Sequence, residues 1–314
     1  MSAMIPPGRV AWGLQLPVQS QSRNFVQPWE ADAGPEELAR IATAADRAGA
    51  WYVAVCDHVA IPRPSDEVMS TIWYDTIATL GWLAALTERV HLLSHVYVLP
   101  YRHPLATAKA FTTLDRLSGG RAILGAGAGH VEAEFRLLGV DFDSRGTQVA
   151  EAVPVLRAAF EQEYPQVGGP GAEVGVGVAP RPVRDGGPPI WIGGSSKAAI
   201  RRAALLGDGW LPQGPPKMGT SNAIAFISEE RAAAGLPEAF DVGVTAGPVY
   251  LGQPDFPIED FAVRGSAEQV AAHLRRFPPK GMNQLQVGFR GRDAAEVADQ
   301  IERFGAEVAP LLEA

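Results

Sequence analysis

A chain of 314 residues with 46% hydrophobic and 20% charged side chains has the make-up of a globular enzyme able to bury one large core or two modest ones. Its formal charge of −8 argues against a nucleic-acid partner, which needs a basic footprint to displace counterions. A single cysteine excludes an internal disulfide, and Cys56 in the apolar run WYVAVC reads as a buried, inert thiol. The opening MSAMIPPGRVAWG lacks a signal-peptide pattern, and no apolar run reaches the about 18 residues of a membrane span. The chain therefore reads as cytoplasmic, with no membrane partner.

Short apolar runs alternate with helical periods from end to end. RVAWGLQLP is a first strand, and Pro35 and Gly49 bracket a helix with Leu38, Ile41, Ala45 and Ala48 on one face. WYVAVC is a second strand, YDTIATLGWLAALTE a helix, VHLLSHVYVLP a third strand and PLATAKAFTTLDRL a helix. The turn SGG leads into RAILGAG, strand four, followed by a short helix near VEAEFRLL and a longer one near GTQVAEAVPVLRAAFEQ. The Gly- and Pro-rich stretch from Tyr164 to Pro189 reads as loop or short hairpin. PIWIGG, DGWLP, DVGVTAGPVYL and NQLQVGF are strands five to eight, each with its helix; the last helix carries Val297, Ile301, Phe304, Val308 and Leu311 along one stripe.

Eight strand–helix units over residues 1–314 predict an α/β chain folded as one (β/α)8 TIM barrel, with loop insertions at the C-terminal mouth. An open doubly wound sheet is the alternative on pattern alone. In a barrel the chemistry lies on strand C-termini and the loops that follow.

Two glycine loops occupy such positions. LGAGAGH follows strand four, but Gly125, Gly127 and Gly129 are spaced two apart and His130 stands where a dinucleotide fingerprint needs its last glycine. GGSSKAA lacks a Walker loop's glycine before Lys197 and hydroxyl after it. Its order of strand, two glycines and helix start nevertheless suits an anion, through free amides, the hydroxyls of Ser195 and Ser196, and the helix dipole. The other reading is a plain serine N-cap. Being on adjacent strands, the two loops can grip one phosphorylated cofactor.

YRHPLATAKAFTTLDRLSGGRAILGAGAGHVEAEFRLLGVDFDSRG, followed by PPIWIGGSSKAAIRRAALLGDGW, resembles the bacterial luciferase-like superfamily, and most of all its coenzyme F420-dependent branch. The resemblance runs from strand one to helix eight. It implies a TIM barrel, usually a homodimer, with the cofactor at the C-terminal mouth and a small-molecule substrate.

The resemblance also assigns positions. Asp57 and His58 end strand two and match an Asp–His pair in sugar-phosphate dehydrogenase relatives, which makes His58 the expected general acid or base, or the group polarising a substrate oxygen, and Asp57 a cofactor contact; without the resemblance His58 reads as a hydrogen-bonding residue of the strand mouth. Ser94–His95–Val96 ends strand three, where relatives carry a non-proline cis peptide behind the tricyclic ring; the matching bond is His95–Val96, with His95 where relatives usually have a small residue. Gly127, Ala128, Gly129 and His130 would line the cofactor linker and ring edge, and Gly193, Gly194, Ser195 and Ser196 its phosphate.

Two departures shape the functional expectation. Flavin-phosphate luciferases place a basic side chain at Ala128, so its absence favours the deazaflavin or a phosphate held mostly by backbone amides. The sugar-phosphate dehydrogenases carry a catalytic Glu at His130, which leaves that residue as either a proton donor or a pocket wall. Glu132 and Glu134 read as solvated or helix-start carboxylates. Arg201 and Arg202 are candidate attractors of a polyglutamate tail, and Trp12, Trp73, Tyr74 and Phe256 hint at an apolar substrate pocket. The expected activity is hydride transfer to or from F420; an FMN-dependent monooxygenase is the alternative, and a non-catalytic flavin-binding protein a third reading.

Overall fold

Residues 3–23, 26–166, 175, 177–212, 214–276 and 281–312 are described by a computed structural model of the chain. The first half comprises β1 (Ala11–Gln15), α1 (Pro35–Arg47), β2 (Tyr52–Val55), α2 (Asp66–Met69), α3 (Thr76–Leu86), β3 (His91–Ser94), β4 (Tyr97–Val98), α4 (Pro104–Ser118), β5 (Ala122–Gly127), α5 (Glu132–Leu137) and α6 (Arg145–Glu161). The second comprises β6 (Ile190–Gly193), α7 (Lys197–Leu206), β7 (Gly209–Leu211), α8 (Thr220–Ala233), β8 (Asp241–Leu251), β9 (Val263–Gly265), α9 (Ala267–Leu274), β10 (Gln284–Phe289), α10 (Ala294–Arg303) and α11 (Ala309–Leu312).

Neighbouring strands pair in parallel around a ring, and β10 pairs with both β1 and β8. Those two pairings close the sheet and exclude the open doubly wound alternative. The chain is a (β/α)8 TIM barrel, with β9 extending the mouth end of β8.

Strand alternation divides the core in two. Ala11, Tyr52, Ala54, Leu93, Ile123, Trp191 and Leu211 fill the lumen, whereas Trp12, Leu14, Val53, Val55 and Leu124 point outward under the helices. Trp12 packs on Phe304 and Phe289, with ring centroids 4.8 and 6.1 Å apart, so it belongs to this outer layer and not to the substrate pocket.

The end of the barrel opposite the mouth is plugged from within. Buried Asp241 accepts hydrogen bonds from the Met4 and Ile5 amides, from Asn283 Nδ2 and from Trp191 Nε1. These tie the N-terminal segment across the bottom and leave the other end for chemistry.

Helix boundaries follow local chemistry. Pro35 opens α1, the Glu37 carboxylate accepts the Gly34 amide at 2.8 Å, and Gly49 leaves the helix at φ 79°. The third expected strand is broken into β3 and β4 by a cis peptide at His95–Val96. The last expected helix contains a π turn over Phe304–Val308, where a Cβ on Gly305 would meet the Ala48 carbonyl at 2.3 Å. Much of the Gly-rich stretch after α6, residues 167–174 and 176, lies outside the described residues.

Candidate active site

Every residue expected at the site sits at or just past a strand C-terminus. Asp57 and His58 follow β2, His95 and Val96 join β3 to β4, Gly127 to His130 end and follow β5, and Gly193 to Ser196 end and follow β6. These sub-groups do different work.

His58 is the most elaborately held. Its Nδ1 lies 2.8 Å from Oε2 of Glu134, a residue of α5 whose side chain is fully buried. Glu134 also accepts the Val59 and Ala60 amides at 2.5 and 3.0 Å and the Tyr101 hydroxyl at 2.9 Å. Burial pushes the Glu134 carboxyl up, but hydrogen bonds from His58 and from the Ala60 and Val59 amides outweigh it and hold its pKa at about 2. An ionised carboxylate can only accept, so the neutral imidazole carries its proton on Nδ1 and presents Nε2 as the basic atom. No protein group among the described residues hydrogen-bonds Nε2.

The imidazole is fixed on its faces as well. Trp73 packs edge-on at 4.4 Å between centroids and is itself anchored, Nε1 donating to the Met69 and Ser70 carbonyls. His130 packs edge-on at 5.7 Å. Partial burial, followed by the neighbouring His58, lowers the His130 pKa, although its ring reaches solvent at the rim.

Reading the sequence as a solvated helix start misses the burial of Glu134 at the candidate site. Glu132 and Arg136 form an i,i+4 pair on the exposed face of α5, and Glu134 lies about 200° around the helix from Glu132, beside buried Phe135. That spacing is the available sequence signal.

Asp57 serves a different end. Its carboxylate pairs with both terminal nitrogens of Arg102, at 2.6 and 2.8 Å, and accepts the Val98 amide at 2.8 Å. Arg102 in turn lies 4.2 Å from the Tyr97 ring centroid. This buried fork clamps the end of β2 to the β4 turn and so supports the segment bearing His58.

The glycines make room for protein. A Cβ on Gly127 would lie 2.3 Å from Val96 Cγ2, and one on Gly193 would lie 2.7 Å from Val96 Cγ1. A Cβ on Gly125 would strike the Ser94 carbonyl at 1.8 Å. The β3–β4 bulge therefore presses Val96 into a notch between two glycine-bearing strands. His95 is buried beside it, and burial lowers its pKa to about 4, leaving a neutral ring. Near it in the mouth, burial pushes the Cys56 thiol up to about 12, and Gln15 Nε2 donates to its sulfur.

At β6, Ser196 caps α7 by accepting the Ala199 amide at 3.2 Å, as the N-cap reading holds, and Ser195 Oγ donates to the Gly214 carbonyl at 2.7 Å. Gly194 stands at φ 111° and lets the chain turn into the helix. Among the described residues the Lys197 and Ala198 amides have no backbone acceptor, so the opening turn keeps donors for an anion. Arg201 pairs with Glu230, and Arg202 lies against Gly146. Of the other aromatics, Tyr74 packs against the outer core and Phe256 meets Tyr250 edge to face at 5.6 Å between centroids.

The family profile described as luciferase-like monooxygenase matches residues 16–256. The chain belongs to that family. This luciferase-like protein is 30% identical over 186 residues to an F420-dependent glucose-6-phosphate dehydrogenase of Nocardia farcinica, covering 57% of this chain and 53% of that one. Its fold matches a monooxygenase from Streptomyces bottropensis at a TM-score of 0.76 and 20% identity, over 96% of this chain and 99% of the other. It also matches a coenzyme F420-dependent tetrahydromethanopterin reductase from Methanopyrus kandleri at 0.71 and 21% identity, over 96% and 99%. No helix among the described residues is long and apolar enough to cross a membrane, and no group of three metal-ligating side chains occurs among them.

Proposed function

We propose that this luciferase-like protein transfers a hydride between coenzyme F420 and a small organic substrate, with His58 moving the accompanying proton. The observation that carries this reading is the buried Glu134–His58 pair at the barrel mouth. It supplies one fixed base with a free Nε2, which suits interconversion of an alcohol and a carbonyl.

The residues fit a phosphorylated deazaflavin. The opening turn of α7 offers the Lys197 and Ala198 amides at its positive dipole end, after a glycine pair that carries no side chain over them. Ala128 puts no charge beside the β5 rim. The cofactor, when bound, supplies the ring carbon that takes or gives the hydride; the protein orients the reactants, excludes water and handles the proton. In the oxidative direction His58 Nε2 accepts the substrate hydroxyl proton while Glu134 balances the charge on the imidazolium.

The second reading is an FMN-dependent monooxygenase, supported by the family's description. Incubating the protein with F420 and a panel of alcohols, and in parallel with reduced FMN and oxygen, separates the two. Substrate-dependent reduction of F420 supports the proposal; oxygenated product formed with FMN alone replaces it.

A further inference from the structure

His130 stands at the solvent-exposed rim of the β5 loop and also packs edge-on against the face-held ring of His58, at 5.7 Å between centroids. It is exposed as a residue and hydrogen-bonds no protein group among the described residues. His58, by contrast, has a side chain only 9% exposed and is shut in by Trp73 and Glu134. A buried base that takes a proton once per turnover must return it, and Glu134 is an unsuitable outlet because its carboxylate is saturated by four donors.

We propose that His130 is the proton outlet of this site, passing protons between His58 Nε2 and bulk water. The inference rests on the hydride-transfer reading for its catalytic meaning, while the closeness of the two imidazoles is independent of it. The step is balanced without redox chemistry. The His58 imidazolium loses its Nε2 proton through one bridging water to a ring nitrogen of neutral His130 and becomes neutral. The His130 imidazolium then gives a proton to bulk water, and no electrons move.

The groups around the pair set the direction. His58 faces Glu134 from α5, and through it the Tyr101 hydroxyl from the turn after β4; the Asp57–Arg102 fork lies behind, internally neutralised. Trp73 contributes no titrating group. His130 feels the repulsion of a charged His58 and a weaker attraction to Glu134. A charged His58 and a charged His130 therefore disfavour each other, so the pair carries one proton at a time and His130 discharges to water before His58 is protonated again.

Two measurements test the proposal. In the protein without cofactor, NMR titration of the histidine ring protons reads the coupling directly: His58→Gln is expected to raise the His130 midpoint, and an unchanged midpoint overturns the path. With F420 and substrate, His130→Ala is expected to lower kcat roughly tenfold or more, a modest part of what a proton-transfer group contributes. KM should stay put, the solvent isotope effect should grow, and added imidazole should restore turnover. A His130→Ala enzyme with full kcat, or one whose loss imidazole does not repair, overturns the proposal. Coupling in the NMR titration without any F420-linked turnover removes the functional reading and keeps the path; turnover without coupling or rescue does the reverse.

Discussion

Glu134 Oε2 lies 2.8 Å from His58 Nδ1, a fully buried carboxylate against an imidazole with a side-chain exposure of 9%. The contact joins α5 to the end of β2, which are far apart in sequence, and it decides which nitrogen of His58, the proposed base, is free to accept a proton. Replacing Glu134 by Gln keeps the size of the side chain and removes the charge that stabilises the imidazolium. The expected result is a kcat lower by about 10- to 100-fold, against roughly 10²–10⁴-fold for His58→Ala. A variant with unaltered kcat contradicts the pairing.

The same carboxylate makes stability depend on pH. Its pKa is held at about 2 in the fold against an ordinary value of 4.5, a difference worth on the order of 3 kcal/mol. A depressed carboxyl contributes its full stability above the unfolded value near 4.5, and that stability is lost as pH falls toward the folded value near 2. Denaturant melts of the native chain and Glu134→Gln should therefore diverge most near neutral pH and draw together as pH falls from about 4.5 toward about 2. A gap that stays constant across that range contradicts this assignment.

Much of this layout is legible from residue order. Eight strand–helix repeats give the barrel, and the barrel places chemistry on the residues after β2, β3, β5 and β6 before any coordinate is known. Period-two alternation would also have sent Trp12 outward, since Ala11 and Gln15 share the lumen face of β1. Glu134 is harder, because one carboxylate on the solvated face of a short helix and one on its buried face look alike in a string. The glycines are harder still: a missing Cβ says that something comes close, but not that the neighbour of Gly127 and Gly193 is Val96.

That notch gives its own prediction. Gly127→Ala should cost about 1–3 kcal/mol by overpacking against Val96. Adding Val96→Ala should recover part of the loss, because the two side chains compete for one space and their effects are not additive. Thermal melts of the two single variants and the double variant give the coupling; strict additivity contradicts the packing.

Helix α3 bears on assembly. Its sequence TIATLGWLAAL holds no charge, so the face turned from the barrel is apolar, with Trp82 39% and Leu86 40% exposed. Leu117, on the adjoining α4, is 71% exposed. We propose that a second copy of the chain covers this surface. Light scattering should report twice the chain mass, and Trp82→Lys combined with Leu117→Glu should report a monomer. A native chain that stays monomeric at high concentration contradicts the dimer.

Titration of the purified protein with F420 and with FMN, followed by fluorescence quenching, tests the choice of cofactor most directly. Saturable binding of F420 at micromolar concentration, weakened when Gly194→Asp sets a carboxylate beside the opening turn of α7, is the predicted result. Micromolar binding of FMN with no binding of F420 would contradict it.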